Sequence, residues 1–106
     1  MRRVTGIGII VASPDLVRFR TALTLAAAQA ALGGRVRILL DSGAVMLARG
    51  PDALLESCFE LGAEVTLCQT GLAETGLDAS ALDMRFCYGG MVGWLAAVGE
   101  DRLVVA

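Results

Sequence analysis

The sequence alternates five short apolar runs with helical patterns, and this alternation restricts the chain to a small set of folds. The first run, residues 4–12, is nearly continuous and rich in β-branched residues, which is typical of a strand buried on both faces. The later runs predict strands at 36–40, 64–67, 83–88 and 102–105. The order predicts a single three-layer α/β domain over residues 1–106, with a mostly parallel five-stranded sheet covered by helices on both faces.

The segment after the first strand carries the signals of a helix start. Ser13 is predicted to cap the helix, with Pro14 at its first position and Asp15 in its first turn. Gly33 and Gly34 are predicted to end it. The remaining pattern predicts a helical turn at 44–48, a helix at 53–61, a polar loop over 69–80 with a short helix near 78–82, and a helix at 89–98.

Missing residue types exclude several kinds of chemistry. The chain has no His, and all nine basic residues are Arg. Schiff-base chemistry and phosphate-loop lysines are therefore absent, as are Cys–His pairs and imidazole metal ligands. Glu74, Asp78 and Asp83 match no calcium-loop spacing and are interpreted as a solvated loop, so we expect no metal and no cofactor. Dispersed Arg residues and a net charge of −2 give no reason to expect nucleic-acid binding.

Cysteine usage and hydropathy favour a cytoplasmic protein that self-associates. The three Cys residues are widely spaced and form no CxxC pair, so neither a disulfide framework nor a zinc site is expected. Residues 1–12 mimic a signal peptide, but the apolar part is short and contains glycines, so we interpret it as the first strand. No uncharged stretch reaches the roughly 18–20 residues that cross a membrane. A hydrophobic fraction of 56% predicts surface covered by another subunit.

The candidate site follows from the predicted sheet, because open parallel sheets bind ligands beyond the carboxyl ends of their strands. The segments there supply the candidate ligand-binding residues Ser13, Asp41, Ser42, Gly43, Gln69, Thr70 and Gly71. For Asp41–Gly43 the favoured interpretation is a cap for the next turn, and ligand binding is the alternative. Cys68 directly follows the third strand, where backbone N–H groups and a helix dipole would stabilise a thiolate. Simple packing is the other interpretation, since most isolated cysteines are buried.

The other cysteines are interpreted as packing residues. Cys58 lies on the apolar side of a predicted helix, and Cys87 lies inside a predicted strand. Trp94 and Tyr88 are interpreted as core or subunit-interface residues. Of the three thiols, Cys68 is therefore the one for which a chemical role is weighed.

The ordered set of these segments resembles the DsrE/DsrF-like family. The resemblance rests on residues 7–11 followed by 14–31, on 36–40 with its small-residue loop, and on the Leu-Gly-Ala-Glu-Val-Thr-Leu-Cys segment that ends at Cys68. Gly89-Gly90-Met91 and residues 101–105 are similar to the family's end. The resemblance implies a compact α/β fold, assembly into trimers or hexamers, and intracellular sulfur trafficking.

The resemblance also implies a role for Cys68, which matches the cysteine that accepts sulfane sulfur as a persulfide and passes it to a partner protein. Such exchange is attack by a thiolate on sulfur, so it requires no histidine base. Residues 51–84 carry seven carboxylates and no basic residue, which disfavours a thiolate unless Arg85, an earlier Arg or another subunit compensates. The alternative is a non-catalytic relative that acts as an assembly subunit or binds a small ligand at the same strand ends.

Overall fold

The structure is a computed structural model that describes residues 4–106; the charged Met1–Arg3 part of the signal-peptide-like pattern lies outside them. Along the chain the elements are β1 (Ile7–Val11), α1 (Leu16–Ala31), β2 (Val36–Leu40), a first 3-10 helix (Ser42–Ala48), α2 (Ala53–Glu60), β3 (Glu64–Cys68), α3 (Gln69–Thr75), a second 3-10 helix (Ala79–Ala81), β4 (Cys87–Gly89), α4 (Met91–Val98) and β5 (Arg102–Val105). Within this part of the chain, no helix is long and apolar enough to cross a membrane.

The sheet has five strands in the order β4-β3-β2-β1-β5, and every pairing is parallel. The predicted α/β domain with a five-stranded sheet is confirmed, and the sheet is wholly rather than mostly parallel. From β1 to β4 each connection moves one strand in the same direction, whereas the last connection returns past β1 to the opposite edge. Right-handed crossovers in opposite directions must pass over opposite faces.

The face that carries α1 and α2, called here the α1 face, holds the larger core. Alternate strand residues such as Ile9, Ile38 and Val65 project onto it and are fully buried. Phe19 and Leu23 of α1 pack against them. Ala22, Ala26, Leu55 and Cys58 complete the helical side of this core. The buried side chains of α1 therefore anchor this layer, although Leu16 at the start of the helix is exposed.

The opposite face, called here the α4 face, is covered by one helix of eight residues. Trp94 and Val98 of α4 pack against Ile10 and Leu39 in a second, smaller buried cluster. Gly8 lies under them, because a methyl group at this position would lie 2.7 Å from a Val98 methyl carbon and 3.0 Å from the Trp94 ring. A glycine in β1 is thus what lets α4 approach the sheet.

Several predicted boundaries are wrong, and local hydrogen bonds explain them. Asp15, not Ser13, caps α1, since its carboxylate accepts the Arg18 N–H at 3.1 Å and leaves Pro14 outside the helix. The helix predicted over 53–61 ends at Glu60, and Leu61, which follows it, is exposed. The predicted strand over 83–88 shortens to β4, because the Asp83 carboxylate accepts the Arg85 N–H at 2.9 Å and forms a turn.

The polar segment after Cys68 was predicted to be a loop, but it forms α3 without any intervening residue. Its Gln, Leu, Ala and Glu residues favour helix, and polarity alone does not oppose one. Gly76 ends α3 with a φ angle of 72°, the left-handed conformation of a helix C-terminus. Cys68 consequently lies at the junction of a strand and a helix.

We predict that Gly8→Ala destabilises the fold, because its methyl group would collide with Val98 and Trp94. The expected loss is about 1–3 kcal/mol of unfolding free energy, as for overpacked cores. Gly93→Ala is the matched control: Gly93 lies within α4 with open space around it, and the better helix propensity of Ala predicts a gain of about 0.5–1 kcal/mol. Chemical denaturation of both variants measures this. Equal stability of Gly8→Ala and the parent chain would contradict the packing described.

Candidate functional site

The three segments predicted to form a site do meet at the carboxyl edge of the sheet. They follow β1, β2 and β3, which are neighbours in the sheet. A methyl group at Gly43 would lie 3.9 Å from Pro14, and one at Gly71 would lie 2.3 Å from the carbonyl oxygen of Ser42. The loops that carry Ser13, Asp41–Gly43 and Cys68–Gly71 therefore form one continuous rim, as the sequence predicted.

Cys68 is the last residue of β3 and the N-cap of α3. Its Sγ accepts a hydrogen bond from the Gly71 N–H at 3.5 Å. Only 8% of its surface is exposed, and Cys68 counts among the buried residues of the larger core. The sulfur is held in place by a backbone amide.

Cys68 also lies at the end of β3, and the chain segments that follow β3 and its neighbour β4 pass over opposite faces of the sheet. In the sheet register Cys68 pairs with Gly89 of β4. After β3 the chain passes over the α1 face, where Leu72, Leu77 and Leu82 pack against the larger core, whereas α4 crosses the other face. In open α/β sheets, ligands usually bind at such a point of divergence, beyond the carboxyl ends of the strands. The strand order that places Cys68 there is not visible in the sequence.

The backbone beside Cys68 is tightly packed. Ser42 adopts a φ angle of 49°, a left-handed conformation that is uncommon outside glycine. Its carbonyl lies against the Cα atom of Gly71, so no other residue type fits at position 71 without movement. This close approach of α3 to the first 3-10 helix holds the Gly71 N–H on the Cys68 sulfur. Strain of this kind clusters at functional sites, which makes it an argument for a site here.

The remaining candidate ligand-binding residues differ in what they offer. Gln69 and Thr70 are exposed beside Cys68, and Ser13 and Asp41 are half-buried on the neighbouring loops. The Asp41 side chain makes no capping hydrogen bond, so the interpretation of Asp41–Gly43 as a cap is wrong for its carboxylate. Gly71 is buried and its amide donates to Cys68, so Gly71 positions the thiol.

Arg85 was named as a counter-charge for the acidic second half of the chain, and it binds two of those carboxylates. Its Nε donates to Asp83 at 3.0 Å and its Nη1 donates to Glu56 at 2.9 Å. These hydrogen bonds lower the pKa of Asp83 to about 2 and also lower the pKa of Glu56. Arg85 therefore compensates the negative charge of Asp83 and Glu56, and it lies two residues before β4 in the sequence.

The other two cysteines occupy contrasting environments. Cys58 is fully buried in α2 and donates to the Leu23 carbonyl at 3.4 Å; burial, then the charge of Asp52, raises the pKa of its thiol. The prediction that Cys58 packs in the core is confirmed. Cys87 was also interpreted as a packing residue, but it is exposed and lines a cavity of about 230 Å³ between α4 and the edge of the sheet.

The exposure of Cys87 follows from its edge strand. β4 is the outermost strand, and Gly89 and Gly90, which follow Cys87 closely, supply no side chains to cover it. The glycine pair is the signal in the sequence that could have indicated an open thiol. Trp94, which lines the same cavity, is buried as the sequence predicted, and Tyr88 is exposed.

The fold and this rim define a small parallel α/β domain with a cysteine at the carboxyl end of an interior strand. Protein-family models give no match to the chain, and neither do curated protein sequences. Solved structures do match: the ychN protein from E. coli has a TM-score of 0.73 at 21% identity, over 95% of this chain and 99% of its own.

Two further solved structures share the fold over nearly their whole length. The protein of unknown function MTH1491 from Methanobacterium thermoautotrophicum has a TM-score of 0.79 at 15% identity, over 96% of this chain and 99% of its own. The conserved protein of unknown function BT1422 from Bacteroides thetaiotaomicron has a TM-score of 0.73 at 15% identity, over 94% of each chain. At these identities the likeness establishes a common fold.

We predict that Gly71→Ala loosens the environment of Cys68. The added methyl group would push α3 away from Ser42, lengthen the N–H to sulfur contact and expose the thiol, so alkylation of Cys68 by iodoacetamide becomes faster. The expected cost is about 1–3 kcal/mol of unfolding free energy.

The measurement is made with Cys87→Ser present in every protein, so that the exposed thiol does not react. Ala73→Ser, an exposed substitution in the same helix, is the control and should leave the alkylation rate unchanged. An unaltered rate in Gly71→Ala would show that the contact does not hold the thiol.

Proposed function

We propose that this chain is an intracellular sulfur-trafficking protein of the DsrE/DsrF-like kind, in which Cys68 carries sulfane sulfur as a persulfide. The observation that carries the proposal is the place of Cys68 at the carboxyl end of β3, with its sulfur on the Gly71 amide. The fold shared with ychN and the two other solved structures supports the architecture of the proposal. The sulfur chemistry rests on Cys68.

The proposed chemistry is two successive exchanges at sulfur. The Cys68 thiolate attacks the terminal sulfur of a donor persulfide; the new bond forms to Cys68 Sγ, the donor's S–S bond breaks, and the donor leaves as a thiolate. An acceptor cysteine thiolate then attacks the terminal sulfur on Cys68, and the Cys68 thiolate leaves. Each exchange moves one neutral sulfur atom, so neither a metal nor a redox cofactor takes part.

Residues of the rim have distinct parts in this proposal. The Gly71 N–H stabilises negative charge on Cys68 Sγ both when it attacks and when it leaves. Gln69 and Thr70 are exposed next to the thiol and would contact the donor or acceptor protein. Because only 8% of Cys68 is exposed, a donor or acceptor protein must place its own sulfur atom directly at the rim. A donor with a protruding cysteine satisfies this requirement.

We predict that the Cys87→Ser protein gains the mass of one sulfur atom when incubated with inorganic polysulfide, and that peptide mapping places this sulfur on Cys68. The Cys68→Ser/Cys87→Ser protein should gain none, since its only remaining thiol, Cys58, is fully buried. Intact-mass spectrometry measures both. Equal sulfur uptake by the two proteins, or none by Cys87→Ser, would rule out Cys68 as the carrier.

We also propose that the chain forms a homo-oligomer through the α4 face. Leu103 and Val105 of β5 pair with Gly8 and Ile10, so they project onto this face, and both are exposed. Val92 and Leu95 of α4 add two more exposed apolar side chains to it. A helix of eight residues is too short to cover five strands. A second copy of the chain would bury the apolar side chains that α4 leaves exposed on this face.

The same surface favours a second candidate function, an assembly subunit without sulfur chemistry. An interface of this kind needs no reactive thiol, so it would form equally well if Cys68 were only a packing residue. Sulfur uptake by Cys87→Ser separates the two functions, because an assembly subunit gains no sulfur. Trimers and hexamers are the assemblies that the family resemblance implies.

We predict that Val92→Asp shifts the protein toward the monomer in sedimentation velocity. Val92 is 86% exposed, so a charged residue there is tolerated by the monomer but costly in an apolar interface. Val17→Asp is the control, since Val17 is 76% exposed on a helix of the opposite face. If both variants dissociate equally, or neither does, the α4 face is not the interface.

A further inference from the structure

The cavity that Cys87 lines is called here the α4 groove, and the proposed sulfur chemistry makes no use of it. It lies between α4 and the strands β3 and β4, and its volume is about 230 Å³. Gly90, Gly93 and Ala97 line its helical side, and a methyl group at Gly90 or Gly93 would enter open space. Small residues along one flank of the helix therefore leave room for a small ligand beside the Cys87 thiol.

The α4 groove is separate from the apolar surface that is proposed as the oligomer interface. Gly93 and Ala97 lie about one helical turn apart on the flank of α4 that faces β4, whereas Leu95 lies across the helix from them. Leu103 and Val105 of the apolar surface belong to β5, at the opposite edge of the sheet from β4. A ligand in the α4 groove therefore occupies a different part of the molecule, where Cys87 is exposed.

The inner wall of the α4 groove carries buried polar groups without partners. Thr66 is 6% exposed and pairs with Cys87 in the sheet register, and its hydroxyl makes no hydrogen bond within residues 4–106. Trp94 is 4% exposed, and its Nε1 has no partner among the described residues either. Because buried polar groups are normally hydrogen-bonded, these two side chains point to a ligand that accepts hydrogen bonds.

The N-terminus of α4 supplies further donors to the groove. Gly90 is the N-cap of α4, and it has no side chain that could accept from the N–H groups of the first turn. These groups have no partner inside the helix, and with the helix dipole they favour a negatively charged ligand. Since Gly90 and Gly93 both line the groove, this turn borders the space that Cys87 faces.

The charged residue of the groove lining, Glu64, lies far from the start of α4. Glu64 begins β3, whereas Cys68 at the other end of the strand pairs with Gly89, next to the start of α4. At about 3.3 Å per residue, Glu64 is about 13 Å along the strand from that level. Its carboxylate lies 3.9 Å from the Nε of Arg37. No negative charge in the lining therefore opposes an anion at the helix N-terminus.

We propose that the α4 groove holds a small thiol compound that carries a carboxylate, joined to Cys87 as a mixed disulfide. The carboxylate accepts hydrogen bonds from the donors described above, which are the first-turn N–H groups of α4 and the Thr66 hydroxyl. The unpaired donors set the charge of the ligand, and the exposed thiol sets its chemistry. This modification site is independent of Cys68, and its test does not depend on sulfur trafficking.

The proposed modification is a single thiol–disulfide exchange. The Cys87 thiol loses its proton to solvent, and the thiolate attacks one sulfur of the compound's symmetrical disulfide. A new S–S bond forms to Cys87 Sγ, the S–S bond of the compound breaks, and its other half leaves as a thiolate. One disulfide replaces another, so the compound's own disulfide is the only oxidant, and a reducing thiol reverses the step.

Two disulfides of similar size test the proposal: dithiodiglycolate carries carboxylates, and bis(2-hydroxyethyl) disulfide is neutral. Every protein carries Cys68→Ser, which leaves Cys87 as the exposed thiol and Cys58 fully buried. Intact-mass spectrometry measures the rate of mixed-disulfide formation with each compound. The quantity compared is the ratio of the dithiodiglycolate rate to the neutral rate, because intrinsic differences between the compounds cancel when this ratio is compared between variants.

Gly90→Ser and Gly90→Ala provide a matched pair of variants. Both place a Cβ in open space at an extended φ of −118°, but only serine adds a hydroxyl that can cap α4 and occupy its first-turn N–H groups. Gly90→Ser should lower the rate ratio by about two- to five-fold, the effect of a helix N-terminus on one charge, and Gly90→Ala should leave it unchanged. Thr66→Val removes the other donor and should also lower the ratio.

Three results would overturn the proposal. Equal rate ratios in Gly90→Ser and Gly90→Ala would show that the N-terminus of α4 holds no carboxylate. Absence of a mixed disulfide with dithiodiglycolate would remove the site, and so would an adduct that peptide mapping places on Cys58. Serine is a favoured N-cap residue, so a change in the Gly90→Ser protein cannot be attributed to a loss of folding.

Discussion

Right-handed crossover connections determine both the architecture and the place of its chemistry. The chain moves stepwise from β1 to β4 over one face, and its return to β5 must therefore cross the other. That reversal separates the chain after β3 from the chain after β4, and Cys68 pairs with Gly89 at the point where the two segments diverge. The position of the candidate site is thus a consequence of strand order. The residues around Cys68 determine only the local environment of its thiol.

The two layers of helices pack against the sheet in different ways. On the α1 face, two helices bury large side chains against three strands, and the core is continuous. On the α4 face a single helix rests on Gly8, so the approach is close but the covered width is narrow. Helices therefore cover the α1 face of the sheet fully and the α4 face only in part. The exposed apolar residues of α4 and β5 belong to the α4 face.

Much of this fold could be predicted from the sequence, because apolar runs and glycine stops are local signals. Four of the five predicted strands match their observed cores, and Cys68 was correctly placed at a strand end. The α3 helix could not be foreseen from its polarity, and the Asp83 turn that shortens β4 depends on a side-chain hydrogen bond to Arg85. The exposure of Cys87 depends on strand order and on contacts between distant segments.

β5 closes one side of the sheet and has a strand on only one flank. Half of its backbone donors and acceptors therefore face outward, next to the apolar side chains of Leu103 and Val105. Such a margin is a template for strand addition by any extended chain, including a misfolded copy of the same protein. The segment 102–105 carries one charge, on Arg102, that opposes such pairing, so this edge of the sheet is open to aggregation.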